Sequence, residues 1–248
     1  MSITSALFTG VSGLVNNGEA MNVIGNNIAN VNTVGFKSAR TLFSDMLSAN
    51  MGNNSQIGRG VQIQKIDNVF GQSSFETTES SSDVAIQGSS FFALEGGLYS
   101  RAGAFRLNAA GDLVNPDGYK ILDSSGAAIN LGAGSTITKI DSTGTITYVN
   151  SSNATLSDKQ LGVAIISDTG SLDKVGGTLF KYSGATAPTV IAANGTSEKI
   201  YSNALELSNV DLASQFVKMI VTQRAYSANS KTITTTDEMT QEVLNLKR

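Results

Sequence analysis

The sequence predicts an α+β fold: helices at the two ends pair in a coiled-coil-like domain, with an elongated, discontinuous antiparallel all-β body inserted between them. All 25 glycines and both prolines precede residue 208, so residues 208–248 contain no helix breaker. Leu7, Leu14, Met21 and Ile28 recur every seven residues, which is the period of a coiled coil. Between the ends, short apolar runs alternate with turn residues at about ten-residue spacing, as antiparallel strands do.

The N-terminal helix is predicted to depend on packing against other helices. It contains four glycines, Gly10, Gly13, Gly18 and Gly25. Each costs about 1 kcal/mol of helix propensity relative to alanine, but small residues allow a second helix to approach closely. A flexible glycine-rich tail is the alternative, although a tail is not expected to keep a seven-residue spacing. We expect the helix to stop within residues 30–35, with Gly35 at a positive φ.

The middle of the chain is predicted to be β. Residues 36–47 form a short amphipathic element, and residues 48–60 a loop. Strands then flank turn sequences such as Asn115-Pro-Asp-Gly118 and Asp141-Ser-Thr-Gly144, which favours an antiparallel sandwich or barrel. We expect three domains: a terminal-helix domain (1–37 and 202–248), a β-rich middle domain (38–122 and 173–201) and a small, polar outer β insert (123–172).

The C-terminal helix is predicted to begin at Ser208, because Ser208 and Asp211 match a capping pattern. Its threonine-rich run, residues 232–236, is β-branched and is expected to weaken the helix midway. A core helix of a monomer is the alternative, but globular helices typically have about 8–20 residues.

Two paired helices leave much apolar surface uncovered, which implies further neighbours from other copies. The predicted assembly interface consists of Leu7, Leu14, Met21, Ile28, Leu212, Phe216, Met219, Ile220, Gln223, Tyr226 and Ile233.

The composition argues against several classes of function. The net charge is −3, which does not favour nucleic-acid binding. The chain has no cysteine and no histidine, hence no disulfide, no thiolate metal site and no imidazole base. No apolar run is long enough to insert in a membrane, and no basic residue precedes Lys37, so a Sec-type signal is not expected. We expect no enzyme activity, no cofactor and no metal.

One local pattern favours an enzyme instead. Asp168-Thr169-Gly170 with Ser171 matches an aspartic-protease loop, but that chemistry needs a second carboxylate, and the same residues are ordinary turn formers. Gly58-Arg59-Gly60 lacks the rest of a phosphate-binding motif. Arg101, Arg106 and Lys120 are interpreted as a solvated strand face.

Three sets of motifs resemble a known family. Residues 22–37 (NVIGNNIANVNTVGFK) resemble the N-terminal signature of bacterial flagellar rod and hook proteins. Residues 205–212 (LELSNVDL), 219–226 (MIVTQRAY) and 235–246 resemble their C-terminal helix, and residues 83–105 their β domain. Within the signature, the motif and hinge residues are Asn26, Asn27, Asn30, Gly35 and Phe36.

The resemblance implies a structural subunit that assembles into a helical tube, with paired terminal helices on the inner wall and β domains outside. A short loop at residues 48–56 resembles the hook, a flexible universal joint that passes motor torque to the filament; the chain length is closer to a distal rod protein, which is the alternative. The resemblance further implies export by the flagellar type III apparatus, location in the extracellular hook and basal body, and a rod protein at one end. A hook–filament junction protein or the hook cap is implied at the other end.

Overall fold

A computed structural model of the chain describes residues 3–46, 49–52 and 55–246. They form two compact units. Unit 1 contains Met1–Asn30, Ser38–Val69 and Val210–Arg248, and unit 2 contains Val31–Lys37 and Phe70–Asn209. The predicted loop at 48–60 includes residues 48, 53 and 54, which lie outside the described residues, as do residues 1–2 and 247–248 of the predicted terminal-helix domain.

Unit 1 holds both long helices, α1 (Ile3–Ala29) and α2 (Leu212–Asn245). The end of α1 agrees with the prediction. The predicted start of α2 at Ser208 is wrong, because Asp211 is the N-cap: its backbone is extended (φ −92°, ψ 109°) and its carboxylate accepts a hydrogen bond from the Ala213 N–H. Asp211 rather than Ser208 therefore satisfies the Ala213 N–H donor.

The threonine-rich run does not interrupt α2. Each hydroxyl donates to a backbone carbonyl about one turn earlier, for example Thr232 to Ala228 O at 3.1 Å and Thr236 to Thr232 O at 2.7 Å. These bonds satisfy the side chains within the helix, so the expected weakening midway does not appear as a break.

The two helices pack against each other in antiparallel orientation. Gly10 of α1 lies against Ile233 of α2, and the Asn27 amide, near the other end of α1, donates to Gln215 Oε1 at 3.3 Å. Two terminal helices flanking a mostly antiparallel β body confirm the α+β class. The coiled-coil character of the pair stays a prediction.

Unit 1 also contains two antiparallel strand pairs: β1 (Ala39–Asp45) with β4 (Val61–Asn68), and β2 (Ala49–Gly52) with β3 (Ser55–Ile57). The amphipathic element at residues 36–47 is thus mainly the strand β1. The prediction of a loop at 48–60 is wrong where β2 pairs with β3. The two strands have only four and three residues, which is too short for an alternation of apolar and polar residues to be recognised in the sequence.

Unit 2 is built from β strands. They are β5 (Phe75–Thr77), β6 (Val84–Gln87), β7 (Phe91–Leu94), β8 (Leu98–Ser100), β9 (Arg106–Leu107), β10 (Leu113–Val114), β11 (Thr136–Ile140), β12 (Thr145–Val149), β13 (Thr155–Gln160), β14 (Gly162–Ile165), β15 (Leu172–Gly176), β16 (Leu179–Tyr182), β17 (Thr189–Ala192), β18 (Lys199–Ser202) and β19 (Ala204–Glu206).

The largest sheet of unit 2 has six strands in the order β15-β16-β8-β7-β14-β17, and a second has the order β11-β12-β13. The pairs β9–β10, β6–β18 and β5–β19 complete the unit. The hairpin predicted around Asp141–Gly144 is confirmed by the antiparallel pairing of β11 with β12.

The core of unit 2 has two buried clusters. Val84, Phe92 and Ile146 belong to the larger, and Phe91 and Phe180 to the smaller. Successive residues Phe91 and Phe92 enter different clusters because neighbouring side chains on a strand point to opposite faces, so both faces of β7 are buried.

Candidate assembly surface

The contact between α1 and α2 is lined by small and polar residues. On α1 the buried positions are Gly10, Gly13, Ala20, Ile24 and Asn27. On α2 the least exposed positions include Gln215, Met219, Thr222, Asn229, Ile233, Thr236 and Thr240. The members of each row are three, four or seven residues apart, which is the spacing of one face of a helix. We call these two rows the inner seam.

Glycine allows the two helices to make their closest approach. A Cβ atom on Gly13 would lie 2.7 Å from the Asn229 side chain, and one on Gly10 would lie 3.0 Å from Ile233 Cγ1. Van der Waals contact needs more than 3.4 Å, so a side chain at Gly13 forces Asn229 to move. The expectation that small residues allow close helix packing is consistent with this geometry.

The residues predicted for the assembly interface fall into two groups. Leu7, Leu14, Met21, Ile28, Met219 and Ile233 are half-buried, the first four of them beside the buried row of α1. Leu212, Phe216, Ile220, Gln223 and Tyr226 are exposed. The first group contributes to packing within the chain. The second group is mostly exposed, although a Cβ on Gly18 of α1 would lie 3.9 Å from the Tyr226 ring.

The exposed faces of both helices are rich in large apolar side chains. Phe8 on α1 is 73% exposed and Phe216 on α2 is 51% exposed. Others are Val11, Val15, Leu212, Val217, Ile220, Val221, Met239, Val243, Leu244 and Leu246. So many exposed large apolar side chains indicate an interaction surface, since each Å² of apolar surface buried contributes about 25 cal/mol.

Two asparagines of α1 hold the β1–β4 pair against the helix. Asn27 Nδ2 donates to Ala39 O at 2.7 Å, and its Oδ1 accepts from Ala39 N at 2.9 Å. Asn16 does the same on β4, donating to Val61 O at 2.8 Å and accepting from Ile63 N at 2.9 Å. No prediction from the sequence included this role for Asn16 or Asn27. Its signal was the presence of asparagine, a poor helix former, in the interior of a helix.

The motif and hinge residues lie in different surroundings. In unit 1, Asn26 is exposed, Asn27 is buried, and Asn30 donates to Asn26 O at 2.8 Å. In unit 2, Gly35 has φ +67°, and a Cβ there would lie 2.4 Å from Ala102 N, so only glycine fits. The positive φ predicted at Gly35 is confirmed.

The segment that follows α1 is fastened to the segment that precedes α2 within unit 2. Gly35 N–H donates to Glu206 O at 2.8 Å, and Phe36 O accepts from Asn209 N at 3.4 Å. Phe36 is buried, and Lys174 Nζ lies 4.4 Å from its ring centroid in a cation–π contact.

Next to this segment, unit 2 contains a buried charge cluster of Lys37, Arg101 and Glu206. Lys37 Nζ lies 2.7 Å from Glu206 Oε1, and Arg101 Nη1 lies 3.5 Å from Glu206 Oε2. Lys37 also donates to Gly71 O, and Ser73 N–H donates to Glu206. Burial lowers the pKa of Lys37 below its ordinary value of 10.5, while the Glu206 carboxylate opposes that change.

The interpretation of Arg101 as part of a solvated strand face is wrong, since the residue is 1% exposed. Its guanidinium donates to Gly88 O at 2.6 Å and pairs with Glu206, which is distant in sequence. Burial lowers the pKa of Arg101, and the two nearby carboxylates Glu206 and Glu198 oppose this. No local pattern in the sequence predicts that Arg101 pairs with Glu206.

The protease-like pattern forms a turn in the structure. Asp168 accepts hydrogen bonds from Gly170 N at 3.0 Å and from Ser171 Oγ at 2.5 Å, and it caps the 3-10 turn Thr169–Ser171. Over residues 3–46, 49–52 and 55–246, the structure shows no group of three or more Asp and Glu residues arranged to hold a metal ion. Within the same ranges, neither helix has the length and hydropathy of a membrane span.

Comparison with protein families gives three matches in chain order. Residues 7–37 match a family described as flagella basal body rod protein, and residues 85–148 match the flagellar hook protein FlgE/F/G D1 domain. Residues 201–246 match the flagellar basal body rod FlgEFG protein C-terminal family. The first and third matches cover α1 and α2.

Comparison with individual proteins gives end-to-end similarity to rod proteins. The chain is 39% identical to the flagellar basal-body rod protein FlgG of Bacillus subtilis over 98% of this chain and 99% of that protein. It is 36% identical to FlgG of Agrobacterium fabrum over 92% of this chain and 94% of that protein. The flagellar hook protein FlgE of Treponema pallidum is 45% identical, but over 45% of this chain and 27% of that protein.

Proposed function

The chain belongs to the bacterial flagellar rod and hook protein family, and we propose that it is a self-assembling subunit of the distal rod. The family consists of structural components of the flagellum, so the chain is an axial structural protein of the flagellum. The distal rod is proposed on one observation: the similarity to rod proteins extends over 98% of this chain and 99% of the relative, so that no large domain is gained or lost.

The exposed helix faces support self-assembly. The inner seam is filled by small and polar residues, while Phe8, Phe216 and Ile220 point away from it. In a tube of many copies these side chains would be buried between subunits, which gives a driving force that a monomer lacks. The exposed faces of α1 and α2 differ in sequence, so a contact between the α1 face of one copy and the α2 face of another is heterologous. Such a contact builds an open helical polymer when its rotation does not close into a ring.

Further features of the assembly are part of the same proposal. Paired helices line the inner wall of the tube, in a coiled-coil-like domain formed by residues 1–37 and 202–248. The β-rich residues 38–122 and 173–201 lie outside it, and residues 123–172 form the outermost insert. Subunits reach the growing tube through the flagellar type III export apparatus, which places the chain outside the cell membrane.

Electron microscopy of the polymerised chain tests the proposal. A straight, stiff tube is expected of a rod, and a curved, polymorphic tube would assign the chain to the hook. Failure of the full chain to polymerise at any protein concentration would reject both.

The interface assignment is tested with two variants and a control. Phe216→Asp is expected to prevent tube formation without unfolding either unit, because Phe216 is exposed. Leu14→Asp is expected to prevent it by a different route, since Leu14 is half-buried beside the inner seam. Ser227→Asp, an equal charge change at an exposed polar position of α2, serves as the control and is expected to polymerise normally.

The hook is the second candidate. It is favoured by the local identity of 45% to a hook protein over 126 residues, which exceeds the identity to the rod proteins. In that case the chain acts as a short, flexible universal joint, with a rod protein at one end and the hook–filament junction protein or the hook cap at the other. The same micrographs decide between the two.

A further inference from the structure

A groove lies on unit 1 beside the first turns of α1. Its volume is about 540 Å³, and it is lined by Phe8 and Val11 of α1, Met46 after β1, and Arg59 before β4. Phe8, Val11 and Met46 are all exposed large apolar side chains. We call it the α1 groove. Its lining combines these apolar side chains with three hydroxyl side chains of α1 and one cation, Arg59.

The C-terminal end of α2 extends beyond α1. Gly10 lies against Ile233 in the antiparallel pair, so the start of α1 at Ile3 is about level with Thr240. The residues of α2 after Thr240 therefore have no α1 residue of the described chain beside them, and residues 241–246 are all exposed. Leu246 is 86% exposed.

The end of α2, from Glu238 onwards, is amphipathic. Met239, Val243 and Leu246 are spaced by four and three residues and so lie on one face of the helix. Glu238 and Glu242 each precede one of them by one residue and form an acidic row beside the apolar stripe. An apolar stripe with carboxylates along one side is complementary to a groove lined by apolar side chains and one cation.

We propose that the α1 groove binds the C-terminal end of α2 from a second copy of this chain. The inference rests on the proposed self-assembly and names one of its contacts. Met239, Val243 and Leu246 enter the groove against Phe8 and Val11, in the manner of an amphipathic helix in an apolar groove. Arg59 pairs with Glu242 or Glu238, which fixes the orientation of the incoming helix.

The occupant is another copy rather than the end of the same chain. α2 is a continuous helix from Leu212 to Asn245, and it passes the start of α1 in the direction away from Val11. Reaching its own groove would require α2 to break and fold back. A copy that donates its α2 end to one neighbour still has an empty groove for another, so the contact propagates.

Disulfide cross-linking between differently labelled copies tests the contact directly, because the chain has no natural cysteine. Full-length Val11→Cys and Val243→Cys chains are mixed under polymerising conditions and oxidised. Both positions are exposed, so neither substitution disturbs the core of a unit. We expect a covalent dimer containing one copy of each, since a disulfide requires Cβ atoms about 4 Å apart.

Val217→Cys replaces Val243→Cys in the control mixture. Val217 is an equally exposed valine near the opposite end of α2. A cross-link to Val217 in place of Val243, or equal yields from both, overturns the proposal.

A charge reversal tests the role of Arg59. Arg59→Glu alone and Glu242→Arg alone are each expected to raise the critical concentration for polymerisation by about tenfold, because like charges then meet in the contact. The double variant restores opposite charges in every contact and is expected to polymerise like the original chain. Glu238 is treated in the same way if Glu242 shows no effect.

The outcomes separate this inference from the proposed function. Normal tubes without the Val11–Val243 cross-link, and with no rescue in either double variant, overturn the α1 groove contact and leave self-assembly standing. A chain that forms no tube at all overturns both.

Discussion

Lys37 Nζ lies 2.7 Å from Glu206 Oε1, and neither side chain is reached by solvent. Lys37 ends the segment that follows α1, and Glu206 ends β19 shortly before α2. Glu206 also accepts a hydrogen bond from Gly35 N–H through its backbone oxygen. One residue therefore fastens the segments next to both helices into unit 2.

Removing the lysine charge is expected to destabilise unit 2 strongly. Lys37→Met leaves the Glu206 carboxylate buried with a weaker set of partners, and breaking a buried pair in this way costs about 3–5 kcal/mol. Urea unfolding followed by circular dichroism measures the change. Arg40→Met is the control, because the Arg40–Asp67 pair, at 3.0 Å, is largely exposed and is expected to contribute about 0–1 kcal/mol. Equal losses in the two variants would contradict a special role for the buried cluster.

The second prediction concerns acid stability. Hydrogen bonds from Asn130 and Asn108, and then Lys120, lower the pKa of Asp112 from its ordinary value of 3.8 to about 2. Because the folded-state pKa is depressed, the stability that Asp112 contributes is present above pH 3.8 and is lost as the pH falls towards 2.

The urea midpoint of the unaltered chain, measured across this window, should therefore fall more steeply than that of Asp112→Asn. Asn130→Ala removes the largest cause of the shift and is expected to move the loss to higher pH. An Asp112→Asn profile that parallels the original would refute the assignment.

Two glycines of α1 are expected to respond oppositely to alanine. Gly25 has nothing within 4 Å of a built Cβ atom, so Gly25→Ala should stabilise the helix by about 1 kcal/mol through propensity alone. Gly13→Ala places its Cβ 2.7 Å from the Asn229 side chain. This clash should cancel the gain in helix propensity or destabilise the packing of α1 against α2.

The measurement is the thermal midpoint of helix loss in the assembled protein, followed by far-UV circular dichroism. Adding Asn229→Ala to Gly13→Ala removes the clash and should recover part of the stability. Stabilisation by Gly13→Ala as large as that by Gly25→Ala would show that the helices do not meet at this position.

Neighbouring asparagines in the signature provide a matched pair. Asn27→Ala leaves the Ala39 N–H and C=O groups without their partner, at a cost of about 1–3 kcal/mol. Asn26→Ala alters an exposed side chain and is expected to change stability by less than about 0.5 kcal/mol. Hydrogen exchange at Ala39 gives a local readout: protection should fall in Asn27→Ala and persist in Asn26→Ala. Unchanged protection in both would contradict the hydrogen bonds.

The secondary structure followed from local signals in the sequence. The absence of glycine and proline after residue 208 predicts α2, and turn residues around Asp141–Gly144 predict the hairpin of β11 and β12. Errors arose where local signals competed. Ser208 and Asp211 both fit a helix cap, and only the backbone at Asp211 decided between them. The pairing of β2 with β3 has no hydrophobic alternation to reveal it.

The seven-residue spacing in α1 shows why the sequence did not identify the contact face between the two helices. Leu7, Leu14, Met21 and Ile28 gave the correct helix, yet they lie beside the most buried row of α1 rather than in it. That row contains Gly10 and Gly13, which a hydrophobicity pattern ignores because glycine has no side chain to score. This row is recognised by its close packing against α2, and that packing depends on where α2 lies in the folded chain.

Periodicity, helix breakers and turn residues act over a few neighbouring positions, so they were enough to predict the helical ends and the β middle. The flagellar family was suggested separately, by motifs such as residues 22–37 that resemble those of rod and hook proteins. The helix faces that meet, and the burial of Lys37, Arg101 and Glu206 in one cluster, became evident from the folded structure alone. Those relationships join residues far apart in the chain, and their burial and charge pairing arise only when the folded backbone brings them together.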